Sequence, residues 1–322
     1  MRGCSMRRGP ARTRFLACLA LAAAFSAFFV AAPLFMQDDP SATNLAFALR
    51  PPGCDGFVFG SDALGRDVLA RTIAGGSESI VSGFWALAAI CSIGTAVGLA
   101  AGYFGGIVDY VLSKVIAAFQ AFPSFVLAVA VAGVLGQGIV NMVIAIAAVY
   151  WTQYARLVRG IVMAFKESEC VDAARLCAAS APALVRKYLL PQVAGPVAVL
   201  SAVSMSDIVL TMAGLSFIGL GPERPTNEWG TMMAEAQATF QYALWCMLVP
   251  MAALFLAVVV FNVLGDALRD ALDVRSQEAR PLFAGLARGA DDAVFRFPGG
   301  ERENRMRRLR RRKERRGSDD VQ

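Results

Sequence analysis

The chain repeatedly runs for about twenty residues with at most one charge. Segments 15–36, 80–104, 115–135, 139–158, 193–215 and 244–264 each approach the ~20 apolar residues a helix needs to cross a ~30 Å hydrocarbon layer. Few folds tolerate six such segments. With 57% hydrophobic and only 17% charged residues, an ordinary soluble domain is excluded. The chain reads as an all-α polytopic membrane protein with six transmembrane helices.

Basic residues orient those helices. Place the N-terminus, the 105–114 turn, the 156–192 loop and the tail after Gly265 on one side. All 31 Lys and Arg then fall there except Arg50, Arg66, Arg71 and Arg224. The bias persists without the tail, so both termini are expected in the cytoplasm. The first run follows Arg2, Arg7, Arg8, Arg12 and Arg14 with no acid among them. A secretory signal begins the same way, but the run is long and no convincing small-x-small cleavage site stands before Asp38-Asp39, so an uncleaved span is preferred.

Several chemistries are excluded by what is missing. Without histidine there is no Ser-His-Asp or Cys-His catalysis, HExxH zinc site or His-ligated haem. Without GxxxxGK[ST] the chain has no P-loop. Its seven cysteines form no CxxC, and Cys170 and Cys177 read as small helix fillers.

One long polar stretch interrupts the apolar middle: ECVDAARLCAASAPALVRKYLLP, residues 169–191. Glu169 and Asp172 put negative charge in a first helical turn, and Ala173, Ala174 and Leu176 continue it. Ser180 is suited to cap a second helix with Pro182 in its first turn, Arg186 and Lys187 lie further along, and Pro191 closes the unit. The reading is a cytoplasmic helix-turn-helix, with an ordinary amphipathic loop helix as the alternative. Elsewhere, FGSDALGRDVLARTIAGG (59–76) suggests a short interfacial helix, with Leu64, Val68 and Ile73 on one face. Gly94, Gly98 and Gly102 form a small-residue stripe for close helix packing, and 101–106 reads as a tight interhelical turn. Between the last two spans, LSFIGLGPERPTNEWG is followed by further acids, and Glu223, Glu228 and Glu235 are expected to make that outer face acidic.

Three of these strings carry a family resemblance. Residues 169–191 resemble the "EAA" loop of binding-protein-dependent ABC importer permeases: Asp172-Ala173-Ala174 and Leu190-Pro191 fit, while the usual Gly falls on Ala178. If that Gly serves a tight turn, the turn shifts to Ala179-Ser180. Residues 59–76 resemble the signature ahead of the second span in dipeptide, oligopeptide and nickel permeases, with Ser61 and Ala70 as departures. The LSFIGLG and EWG strings resemble the segment after the fifth span, and GDALRDALD the usual ending, so the likeness covers roughly residues 59–273.

The resemblance implies a type I ABC importer permease fold in the cytoplasmic membrane. Its layout would be 1–36 for the basic N-terminus and first span, 37–78 for an external loop, 79–273 for the permease core with coupling loop 166–192, and 274–322 for a basic cytoplasmic tail. It further implies a homologous second permease, two ATP-hydrolysing subunits that carry ATP-Mg, and an extracytoplasmic substrate-binding protein. No catalysis and no cofactor are implied for this chain. In the coupling loop, Ala173, Ala174 and Ala178 would supply close contact, Glu169, Asp172 and Arg175 polar register, and Ser180 with Pro191 the shape. The substrate would be a small peptide or nickel, as ion or chelate.

Asp207 is an acid within a span, where ionisable groups are costly. With Thr211 and Met212 nearby it is a candidate for the translocation path; pairing with a neighbouring helix is the other reading. It would also be the coupling site of an ion-driven secondary transporter, the rival class, although no internal duplication supports that. The tail ends in RRLRRRKERR (307–316), expected to be disordered or a solvated helix, and better suited to anionic membrane lipid than to any specific nucleic acid.

Overall fold

A computed structural model describes residues 10–36, 39–177 and 180–294, and the described residues are helical, with a single isolated bridge (Ser61 to Asp67) as their only β pairing. The helices are α1 (Pro10–Ala31), α2 (Val68–Phe104), α3 (Gly106–Gln120), α4 (Ser124–Leu135), α5 (Ile139–Lys166), α6 (Glu169–Leu176), α7 (Ala181–Leu184), α8 (Leu190–Phe217), α9 (Trp229–Ala236) and α10 (Trp245–Val294). One compact unit ends at Ala271 and a second begins at Leu272. The first holds everything discussed below.

α2 and α5 pack along their length. A Cβ on Gly94 would stand 2.6 Å from the Trp151 carbonyl oxygen, and one on Gly98 2.6 Å from that of Ala155. Gly102 meets Val162 in the same way. The stripe therefore brings two backbones closer than any side chain allows. α8 lies against both, and Ile90, Met142, Ile146, Tyr154, Ile208 and Leu215 fill the core between them.

Two expectations are corrected. No separate interfacial helix exists at 59–76: Asp67 caps α2, its side chain accepting from Leu69 N, and the helix runs on unbroken for 37 residues. Gly75 and Gly76 do not break it, because they are there for contact; a Cβ on either would strike the Asn227 carbonyl or the Phe29 ring. The expected span 115–135 is broken. Pro123, lacking an N–H and disfavouring helix before it, separates α3 from α4, which meet at 90°. Among the described residues four helical stretches are long and apolar enough to cross a membrane by length and composition, or five with the bent pair, beside the six expected. α5, 28 residues long, is left out of that number because Asn141, Gln153 and Arg156 dilute even its most apolar stretch. Its polar groups find partners inside the protein: Tyr150 Oη meets Thr211 Oγ1 at 3.0 Å, Tyr154 donates to Ser201, and Arg159 pairs with Asp109 on α3.

Candidate functional site

The 59–76 and 214–243 strings are far apart in sequence and come together in one buried ion cluster. Asp62 sits in a tight turn where its Oδ1 accepts from Leu64 N and Arg66 N, both at 2.9 Å. Gly65 makes that turn with φ +73°, and a Cβ there would lie 1.8 Å from the Asn44 carbonyl oxygen. Asp62 Oδ2 then accepts from Arg66 Nε (2.6 Å) and Arg71 Nη1 (2.7 Å). Glu235 Oε2, from α9, accepts from Arg66 Nη2 (2.8 Å) and Arg71 Nη1 (3.0 Å). Arg71 completes its fork with Nε on Asn227 Oδ1 and Nη2 on the Thr226 carbonyl, both at 2.9 Å. Its side chain is 2% exposed. Such charge-assisted, forked bonds fix geometry more than they add stability.

Around the cluster the EWG string packs as a plug. Trp229 is fully buried, donates to the Thr72 carbonyl at 2.8 Å and stacks edge-on against Phe29 of α1. Gly230 lets α9 rest on α8, since a Cβ there would be 2.5 Å from the Ala213 carbonyl oxygen. Glu228 caps α9, its Oε2 accepting from Thr231 N at 2.8 Å and from Thr231 Oγ1 at 3.1 Å. Its Oε1 has no partner among the described residues. Burial pushes the Glu228 carboxyl above the usual carboxylate range, against the opposing pull of the nearby Gly230 and Thr231 N–H groups and the Ser216 and Thr231 hydroxyls. The expected acidic outer face is thereby corrected for two of its three acids, while Glu223 is exposed as expected. Glu228 is 1% exposed, and Glu235 is neutralised by arginine.

At the other end of α2, the polar stretch folds as α6, α7 and a π-turn, Val185–Leu189. Glu169 and Asp172 lie in the first turn of α6, as expected, and both are exposed. Val171, Ala174 and Leu184 form a small core with Phe165 and Tyr188. Ala174 therefore faces inward, 7% exposed, and the outward small residue is Ala173. Leu176, 89% exposed, stands beside it at the end of α6. Ser180 is the residue before α7 and its carbonyl accepts from Leu184 N, but its hydroxyl makes no cap bond. Pro191 does not close the unit. It sits in the first turn of α8, and Leu190 N donates to the Val185 carbonyl in the wide i→i+5 register that accommodates the proline ring. Ala178 and the side chain of Arg175 lie outside the described residues, as does the Arg307–Arg316 run.

The candidate path residues do not converge. Asp207 is exposed on α8, Thr211 is buried against Tyr150, and Met212 is in the core between α2, α5 and α8. The sequence reading also missed a pair that pins α3 to α5 just before the loop. There Asp109 takes both Nε and Nη2 of Arg159, and Lys166 donates to the Tyr103 carbonyl at 2.7 Å.

Fold and site together define a polytopic helical membrane protein with a protruding polar loop at one end of its long helices and a charged plug at the other. Residues 94–277 match the family described as binding-protein-dependent transport system inner membrane component, and the chain belongs to that family, a multi-pass component of the inner membrane. It is 34% identical over 255 residues to a dipeptide transport system permease protein of Alkalihalophilus pseudofirmus, covering 79% of this chain and 84% of that one. A di/tripeptide transport system permease protein of Pseudomonas aeruginosa is 37% identical, with 79% and 85% covered. A glutathione transport system permease protein of Shigella dysenteriae is 40% identical, with 67% and 71% covered. Among solved structures, the inward-facing MetNI methionine ABC transporter aligns with a TM-score of 0.45 at 18% identity, over 63% of this chain and 93% of that one.

Proposed function

We propose that this chain is the transmembrane subunit of an ATP-driven importer of short peptides. The observation that carries the reading is its 34–40% identity to permeases named for dipeptides, di/tripeptides and glutathione. Those names give no support to nickel, and neither they nor the scattered Asp207, Thr211 and Met212 support an ion-coupled transporter. The chain itself is non-catalytic. It works with a homologous second permease, two ATPase subunits that bind ATP-Mg, and a binding protein outside, with both of its own termini in the cytoplasm.

The mechanism follows from the loop's construction. Closure of the ATPases on ATP presses on α6, whose small core joins it to α7 and α5. The load passes through the π-turn into α8, and α8 and α5 re-orient together to open the path to one side or the other. The test is uptake of labelled dipeptide, tripeptide and glutathione by cells lacking this chain and then re-supplied with it. Rescue that disappears on ATP depletion supports the reading, and the peptide rescued names the substrate. Uptake that persists without ATP, driven by the proton gradient, would refute it.

A further inference from the structure

The turn before α2, helix α9 and the start of α10 enclose a cavity of about 410 Å³. That is within the range of small-molecule sites, roughly 300–1,000 Å³. Three guanidinium groups (Arg66, Arg71, Arg224) and two carboxylates (Asp62, Glu235) line it, leaving one surplus positive charge. Their hydrogen-bonding capacity is not equally used. Arg71 is committed on all three nitrogens. Arg66 uses Nε and Nη2, and among the described residues no acceptor meets its Nη1. Glu235 has both arginines on Oε2, while Oε1 has only Arg224 Nε at 3.7 Å, beyond hydrogen-bond length. The Arg224 side chain is 61% exposed.

The lining therefore offers unfilled cationic donors and an unfilled carboxylate acceptor, both beside an accessible apolar wall of Leu64 and Pro225. A simple anion would satisfy only the donors, and a metal cation would be repelled by the surplus charge. A small molecule with a carboxylate, an ammonium group and an apolar side chain satisfies every part. We infer that the cavity is a binding site for a short zwitterionic peptide: its carboxylate meets Arg224 and Arg66 Nη1, its ammonium meets Glu235 Oε1, and a side chain lies on Leu64 and Pro225. The identity of the zwitterion rests on the peptide-import reading. An acidic side chain of the binding protein would meet Arg224 as well, but it would leave Oε1 of Glu235 and the apolar wall unused.

The test uses the assembled transporter, with its second permease and ATPases but without the binding protein, in nanodiscs. Dialanine, dialanine amide and N-acetyl-dialanine are titrated by calorimetry. Dialanine is expected to bind at least tenfold tighter than either derivative. Arg224→Gln should reduce dialanine affinity to that of the amide and leave the amide's affinity unchanged, and Arg224→Lys should restore part of the preference. Arg224 is exposed, so neither substitution disturbs folding; assembly with the partner subunits confirms it. Equal binding of acid and amide by the wild type overturns the inference, as does a tenfold preference that survives Arg224→Gln. Weakened docking of the binding protein with unchanged dialanine binding also overturns it and assigns Arg224 to a protein contact. ATP-dependent uptake by the intact system reports on peptide import separately, so either conclusion can fail alone.

Discussion

Replacing Arg71 by methionine removes a cation of similar size from the centre of the charged plug, and its cost can be worked out from the bonds. Asp62 and Glu235 are left with Arg66 as their one buried cation, since Arg224 is 61% exposed and stands 3.7 Å from Glu235, so the buried part of the cluster holds two carboxylates against one guanidinium where Arg71 was 2% exposed. Breaking a buried pair in this way costs about 3–5 kcal/mol. Asn227 Oδ1 and the Thr226 carbonyl also lose their donor, at about 1–3 kcal/mol each if water does not replace it. These losses share one side chain and do not add, so about 4 kcal/mol is the working figure. For a chain of this size that is a fall in unfolding midpoint on the order of 10 °C. Thermal unfolding of the purified protein, followed by tryptophan fluorescence, reads the plug directly because Trp229 and Trp245 both bond to it. Arg71→Lys should recover only part of the loss, since one ammonium cannot reproduce a fork spread over four acceptors. Adding Glu235→Gln to Arg71→Met should also recover part, by returning the buried part of the cluster to one carboxylate and one guanidinium, Asp62 with Arg66. A midpoint for Arg71→Met within about 2 °C of wild type, on the same scale, would show that solvent already reaches the cluster and that its buried pairing has been overvalued.

Other substitutions separate packing from coupling. Ala174→Arg should collapse the α6–α7 core and lower expression and uptake together, whereas Ala173→Arg, on the exposed side, should leave folding intact and reduce ATP-dependent uptake at least tenfold; immunoblot and uptake assays on the same cells decide. Gly98→Val should force α2 from α5, because its Cβ would sit 2.6 Å from the Ala155 carbonyl oxygen, at a cost of about 1–3 kcal/mol visible as a lower midpoint. Glu228, raised by burial, retains its proton in the folded protein at pH values where the unfolded chain has lost it. Its contribution is thus fully present below the ordinary carboxylate range and is lost as pH rises through the folded value. Glu228→Gln should therefore flatten the fall of stability on going to alkaline pH; an unchanged slope in melts across pH 5–9 would remove Glu228 as its source.

Much of this was legible in the sequence. The glycine stripe at 94, 98 and 102 predicted a close helix pair because four-residue spacing of small side chains has few other uses, and α5 lies against it. The acids in the first turn of α6 were read from the helix dipole alone. What could not be read was direction. Ala173 and Ala174 are chemically equivalent, and only the position of Leu184 and Tyr188 decides which faces inward. The short separate helix expected over 59–76 ended at Gly75-Gly76, because local propensity does not register the Asn227 backbone and Phe29 ring packed against them. The bend at Pro123 was in plain sight, but a hydropathy run does not weigh a proline that sits between two apolar stretches. The plug had a signal that went unused. All four cations on the minority side of the charge bias have acidic partners there: Arg50 pairs with Asp55, and Arg66, Arg71 and Arg224 gather at Glu235.

The two ends of the molecule are tied to the same helices. At about 1.5 Å per residue, the 37 residues of α2 span roughly 55 Å, well beyond a hydrocarbon core of about 30 Å. Its first turn carries Arg71 of the plug, and near its last turn Lys166 binds the Tyr103 carbonyl just ahead of the polar loop. α8 likewise begins at the π-turn and ends where Gly230 and Ser216 seat α9. α2 and α8 thus run side by side between the same two structures. The plug fixes their spacing through bonds that cannot lengthen by an ångström without breaking, whereas the loop is joined to them through a π-turn, a proline and a core of three small or medium apolar side chains. A force applied at α6 meets compliance first and a rigid clamp last. Motion is therefore expected to concentrate at the loop end and in the middle of the bundle, with the plug acting as the fixed pivot.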